Sequence, residues 1–413
     1  MNRLLSRSRI SHPRCRVAGR ALQQGMSLIE LMVAVTIALV MSLAIFSTLS
    51  SSEGRKRTLT ATNDVAQVGI FSAYQLDKLL RSAGSGFSQG ADFTFGCQLT
   101  ATRTAPGQIL PFTAAMAAPF TAMNTSLGGS YRLAPVIIVK DATTPNISGK
   151  GSDALIIMSG SAGFGEVPTL FTATGALTQL NLQNTVSFQA NDLVLLTDTA
   201  SATGPAPCMI EQVTSSFLTG GTATALPLAG STYSGDPING ITLAAYSTVA
   251  MATNLGSGTV SNPPSFVIVG VGDNNNLMTY DLLQMGTFNT SEAMADGIFE
   301  MHALYGVDTT GNGTVDIWVD PKTAGYDAVT LQSGTTASVS TLRSIKAIRV
   351  GLILRTQLPE KATTPSVTPG PLALFSDLGA TLKYTRTLAT AEQNFRYRTI
   401  ETTIPLRNVL LLN

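Results

Sequence analysis

Hydrophobic positions along this chain follow two regimes. From Met26 to Ser50 apolar residues run almost unbroken, and the single charge is Glu30. A stretch of that length and apolarity reads as a membrane-spanning helix. From Leu59 to Ala83 there is no proline, and Val65, Val68, Ser72, Leu76, Leu79, Leu80 and Ala83 recur near helical spacing. The pattern predicts an amphipathic continuation of the same helix, ended by Gly84-Ser85-Gly86. A helix from Met26 to about Ser82 would be roughly 85 Å long at 1.5 Å per residue. Gly54 and Gly69 are candidate soft points within it.

After Gly86 the pattern changes to short apolar runs separated by Gly, Pro, Asn and Thr. Pro135–Lys140, Asp153–Ser159, Asp192–Thr197, Cys208–Val213, Phe266–Val271, Leu277–Leu283, Ile345–Arg355 and Phe395–Ile404 read as strands. Ala101–Ser130, Ser201–Pro207 and the Thr- and Pro-rich Lys361–Pro371 read as loops. The expected fold class is α+β, with a long N-terminal helix packed on a β-rich, mainly antiparallel head. The predicted organisation is a basic leader over 1–25, a transmembrane helix over 26–50, its amphipathic continuation over 51–83 and the head over 84–413.

Charge sharpens the first segment. A carboxylate at the bilayer centre costs roughly 2.5–3.5 kcal/mol on insertion scales, and even near a helix end it needs a partner or a use. The leader holds Arg3, Arg7, Arg9, Arg14, Arg16 and Arg20 and no acid. That basic flank is expected to stay cytoplasmic, which sends the head across the membrane. A secretory signal peptide carries its apolar region before the cut. Here Gly25 precedes the apolar region, so a cut after it would leave the hydrophobic helix on the mature protein. Without those six arginines, 20 basic residues face 25 acids, a formal charge of about −5. Such a balance argues against a general nucleic-acid surface.

Gly25, Met26 and Glu30 at the start of this apolar run resemble the motif of type IV prepilins and of the pseudopilins of type II secretion. The resemblance implies cleavage after Gly25 by the membrane prepilin peptidase and N-methylation of the new amine on Met26. It also implies that Glu30 meets the N-terminal ammonium of a neighbouring subunit, which would make the pair a registry device for docking. The C-terminal third is similar to the PilW family of minor pilins. The residues that carry this likeness are ADGIFEMHAL from Ala295, the segment YGVDTTGNGTVDIWVDP, LRSIKAIRVGLILRTQLPEK from Leu342, and the closing NFRYRTIETTIPLRN. The resemblance spans about 25–55 and 290–408, with no proline near the twenty-second mature position, where many major pilins bend. It implies a minor pilin in a priming complex of the bacterial inner membrane, single-pass with a periplasmic head, incorporated at or near the pilus tip. Other minor pilins, the major pilin, the prepilin peptidase and the assembly machinery are the implied partners. The alternatives are a J-type minor pseudopilin and, in another class, a tip adhesin or DNA-binding module.

Three cysteines are present, and Cys15 would leave with the leader. Cys97 and Cys208 remain, an even number for an oxidising compartment, and a disulfide between them is expected, with two buried free thiols as the alternative. The loop Asp308–Asp316, DTTGNGTVD, invites a calcium reading. Asp308, Thr310, Asn312 and Asp316 supply alternate oxygens, and Gly313 stands at loop position six. Val319 replaces the bidentate Glu of the usual pattern, and an Asn-Gly hairpin turn is the competing reading. Beyond this possible calcium, no cofactor is called for.

Enzyme readings find little support. The histidines are His12, in the leader, and His302, expected to be structural or at the surface. Ser159-Gly160-Ser161-Ala162-Gly163 misses a nucleophile elbow because its first position is Ser. Gly270-Val271-Gly272 lacks the third glycine of a dinucleotide loop. Arg396 and Arg398 alternate with Phe395 and Tyr397, as a nucleic-acid face or an ordinary amphipathic strand would.

Overall fold

The computed structural model describes residues 25–105, 107–143, 151–176, 178–198, 207–218, 223–233, 240–259, 261–360, 367–368, 370–410 and 412. The leader, with Cys15, His12 and its arginines, therefore lies outside the described residues, as does most of the segments read as loops over 201–207 and 361–371. The chain divides into two units, Met1–Leu59 and Thr60–Asn413.

The first unit is helical from Leu28 onward, and its side chains are exposed, including Leu28, Ile29, Leu31, Met32 and Val33. Among the described residues, the helix Leu28–Ser82 is the one long and apolar enough to cross a membrane. Its 55 residues run through Gly54 and Gly69 without a break.

The second unit begins on the same helix. Gly69, Ser72, Leu76 and Leu80 are buried, a one-sided stripe in keeping with the expected spacing. Burying a leucine as fully as Leu76 and Leu80 contributes roughly 1.5–3 kcal/mol each. Gly69 is a packing notch rather than a soft point. A Cβ there would stand 2.3 Å from Ile400 Cδ1 and 2.9 Å from Leu354 Cδ2, so the absent side chain is what lets the helix lie on those strands. The helix stops where Gly84 takes φ +81°, with its N–H donating to Met158 O at 2.8 Å. Two of its last carbonyls, Ser82 O and Ala83 O, accept from Asn408 Nδ2 at 3.2 and 3.0 Å. A residue near the end of the chain thus caps the helix near its beginning.

Three main sheets follow. A five-stranded antiparallel sheet runs Ser291–Ala295, Leu277–Asp281, Ser265–Val271, Ser152–Ser159, Val136–Thr143. Its strand Ser152–Ser159 is buried along its whole length, as a continuous apolar run demands. A four-stranded antiparallel sheet runs Ile317–Val319, Ile298–Val307, Ile345–Arg355, Tyr397–Pro405. Its last pair is unbroken from Ala347 against Pro405 to Arg355 against Tyr397. A small hairpin, Leu372–Leu374 with Tyr384–Arg386, closes a separate apolar cluster of Phe299, Leu304, Ile353, Leu374, Phe375 and Leu388.

The third sheet has eight strands, in the order Gly107–Leu110, Gln98–Arg103, Pro207–Gln212, Asp192–Thr197, Met251–Ser257, Thr169–Ala176, Gln179–Leu182, Ala225–Pro227. All its pairs are antiparallel except Gln98–Arg103 with Pro207–Gln212. The expected loop over 101–130 is corrected by this sheet, since the strands at 98–103 and 107–110 and a short helix, Thr121–Ser126, occupy much of it. These strands are short and rich in Thr, Gln and Ala, so their alternation is faint.

Candidate functional site

Gly25 to Ser27 carry no regular structure, and the helix begins at Leu28, with Leu31 N–H donating to Ser27 O at 3.1 Å. Glu30 stands in the first turn, where a negative charge complements the exposed N–H groups of the helix end. Its side chain has no ion pair or hydrogen bond among the described residues and is surrounded in sequence by exposed apolar side chains. Placed in a membrane, that carboxylate has no compensating partner among the described residues.

Cys97 and Cys208 are disulfide-bonded, with their Cα atoms 5.5 Å apart. Cys97 immediately precedes the strand Gln98–Arg103, and Cys208 lies opposite Leu99 in the parallel pair. A parallel pair has no hairpin to fix its register, and a covalent link between chain segments 111 residues apart does that work here.

The loop over 308–316 joins the antiparallel strands Ile298–Val307 and Ile317–Val319, so it is a hairpin loop. Asp308 accepts backbone N–H bonds from Gly311 (2.7 Å), Gly313 (2.7 Å), Thr310 (3.1 Å) and Asn312 (3.2 Å). Burial opposes its ionisation, but those four donors outweigh burial and hold the carboxyl below the usual carboxylate range. Asp316 Oδ2 accepts from the backbone and hydroxyls of Thr309 and Thr310, and Asn312 Oδ1 accepts from Thr314 N at 2.8 Å. Thr310 is a donor here. N–H and O–H groups converge on the candidate oxygens, and no cluster of three acidic, His or Cys side chains suited to a metal occurs among the described residues. As arranged, Asp308, Thr310, Asn312 and Asp316 do not fit calcium; Gly311 (φ +74°) and Gly313 (φ +81°) supply the turns that let the backbone compensate Asp308 instead.

One constellation escaped the sequence reading. His302 is fully buried, with Nδ1 3.5 Å from Asp153 Oδ1 and Nε2 3.5 Å from Glu300 Oε2. Its ring lies against Tyr384, centroids 3.7 Å apart. Glu300, also fully buried, accepts from the Tyr384 hydroxyl at 2.9 Å and pairs with Arg386 Nε at 2.9 Å. Lys140 Nζ reaches Asp153 at 3.2 Å. Desolvation works against a charged imidazole, yet the Asp153 and Glu300 carboxylates prevail and raise the His302 pKa above its ordinary value. Asp153 is likewise held low: desolvation acts against it, and His302 and Lys140 outweigh that.

Asp153 has a second task. The strand Ile317–Val319 covers Ile298–Val307 only at Tyr305–Val307, so the edge at Met301 and Ala303 has no backbone partner there. Ser152 Oγ accepts from Met301 N (2.8 Å) and Asp153 Oδ2 from Ala303 N (2.9 Å), so side chains of the five-stranded sheet satisfy the open edge of the four-stranded one. The available sequence signal was the alternation of Glu300 with His302, and of Tyr384 with Arg386. In each pair both side chains share one face of a strand. On the closing strand, Arg396 pairs with Glu360 at 3.0 Å, and Arg355 stacks on Phe395 at 4.2 Å.

An apolar helix headed by this motif and joined to a β-rich antiparallel head is the arrangement that the resemblance to type IV prepilins implies. Residues 20–46 match the family described as the prokaryotic N-terminal methylation motif. Residues 266–408 match the family described as type IV pilus-assembly protein W, and the two matches together are consistent with a PilW-family, type IV prepilin-like protein. No curated protein matches, and no solved structure does. The PilW match takes in the four-stranded sheet, its hairpin, Glu300, His302 and the helix-capping Asn408. The matches point to a structural pilus component, a membrane-anchored pilin that interacts with other pilins and the type IV pilus machinery.

Proposed function

We propose that this chain is a minor pilin that joins a priming complex in the bacterial inner membrane and enters the filament at or near its tip. In this reading prepilin peptidase cuts after Gly25, which discards residues 1–25, and the amine of Met26 is methylated. The helix over 26–50 spans the membrane once, with the head in the periplasm. Methylation leaves the amine cationic. Glu30 then pairs with the Met26 ammonium of an adjoining subunit, major or minor, inside the apolar bundle. Each charge is costly there without the other, so docking is favoured in the one register that joins them.

The observation that carries this reading is Glu30 itself, an acid on an exposed apolar helix with no partner among the described residues. The test is Glu30→Ala in the native host. We expect membrane insertion and cleavage to persist, with incorporation into sheared filaments lost on immunoblotting. Normal incorporation of the variant overturns the pairing.

A further inference from the structure

The eight-stranded sheet carries a cleft that the assembly role does not use. It has a volume of about 610 Å³ and opens between the segment 163–169, the loop 183–192 and the end of the strand Met251–Ser257. That volume lies within the range of small-molecule sites, roughly 300–1,000 Å³. The lining mixes polar and apolar groups. Carboxamides and hydroxyls stand beside Val167, Pro168 and Val186, Asp192 is the one charged side chain among the described residues that line it, and no lysine or arginine is among them.

The polar groups are held in place by their own bonds. Asn254, only 3% exposed, donates through Nδ2 to Ser187 O and to Asp192 Oδ2, both at 2.6 Å. Gln189 N adds a bond to the same Asp192 oxygen at 2.7 Å. The other Asp192 oxygen has no protein donor among the described residues, and Ser187 Oγ is buried without a partner among them. Gly165 permits this closeness: a Cβ there would stand 2.8 Å from Ser187 O. Above the floor, Val167 and Val186 are 57% and 68% exposed.

We propose that this cleft binds a neutral saccharide. A sugar ring presents hydroxyl donors and acceptors at its edge and C–H groups on its faces. Asp192 accepts from ring hydroxyls, the amides of Gln183 and Gln189 bond in either direction, and Val167 and Val186 cover a C–H face. Anionic ligands meet a carboxylate with no cation to offset it among the described lining residues. The cleft lies in a part of the chain outside both family matches, so the proposal does not depend on the assembly role.

The experiment uses the full-length protein in detergent micelles on an array of neutral, sialylated and sulfated glycans, followed by calorimetric titration of the preferred neutral glycan. We expect selective, saturable binding of a neutral glycan. Val186→Asp and Gln189→Ala, both at exposed positions, should each weaken it roughly tenfold while the melting temperature stays unchanged. The proposal is overturned if no neutral glycan binds, if charged glycans are preferred, or if both variants bind as the parent does. Recognition of an extended peptide in place of any glycan would equally overturn it.

Discussion

The four-stranded sheet and the eight-stranded sheet both bury charged groups but surround them differently. The first buries full charges. Glu300, His302 and Asp153 lie inside it and its neighbour, matched by Arg386 and Lys140. The second buries the carboxylates of Asp192 and Glu211 as well, and beside Asp192 it opens into a cleft lined by carboxamides, hydroxyls and apolar groups. Buried ion pairs add little net stability over apolar packing, but they penalise every arrangement that separates the partners. Here they join two sheets and a hairpin through the face of the four-stranded sheet opposite to the one that receives the helix at Gly69, since Glu300 and His302 stand across from Ile353 and Gly351 while Leu354 and Ile400 meet the helix. The sheet that seats the helix is therefore braced from its other face. Where the chain falls outside the family match, the surface is instead arranged for hydrogen bonding to something else.

The sharpest way to break this contrast is Glu300→Ala. It leaves His302 and Arg386 without their shared carboxylate in a fully buried position. Removing one member of such a set costs about 3–5 kcal/mol. Denaturant unfolding of the oxidised protein should show a loss of that size. A loss under about 1 kcal/mol would mean that the network is incidental to the join between the sheets.

A smaller effect isolates the helix seat. Gly69→Leu puts a side chain where even a Cβ meets Ile400 and Leu354. Those two side chains end in flexible atoms and can yield, so we expect the overpacking range of about 1–3 kcal/mol rather than collapse. Faster proteolysis within Thr60–Ser82, with the disulfide intact, should accompany it. An unchanged melting temperature would return Gly69 to the role of soft point.

How much of this was legible beforehand depended on how local the signal was. The motif at Gly25, Met26 and Glu30 needs only neighbouring residues, and so does the helix stop at Gly84. The strands Asp192–Thr197 and Ile345–Arg355 were readable to the residue because each is a dense apolar run with clear ends. The strands over 98–110 were lost among Thr, Ala and Gln, where tertiary pairing rather than propensity decides. The buried network was illegible for another reason. Its members come from residues 140, 153, 300, 302, 384 and 386, and nothing in the sequence says that these strands meet. The cleft had the same defect, since its Asn, Gln and Ser residues look like ordinary loop polarity until the fold closes them together.

The mildest test separates charge from shape within the network. The pKa of His302 is raised on folding, so folding favours its protonated form. The stability it contributes is fully present below the unfolded value of 6.5 and is lost as pH rises through the higher folded value. Asp153 is depressed, and its contribution behaves oppositely, being lost only as pH falls through a value below 3.8. Between pH 6 and 9, then, Asp153 stays ionised and His302 alone changes. We expect the melting-temperature gap between the parent and His302→Gln to be widest near pH 6 and to narrow towards pH 9. Gln keeps a polar side chain at the position but cannot be protonated. A constant gap would show that His302 acts by its shape against Tyr384, and that the charges of the four-stranded sheet are balanced without it.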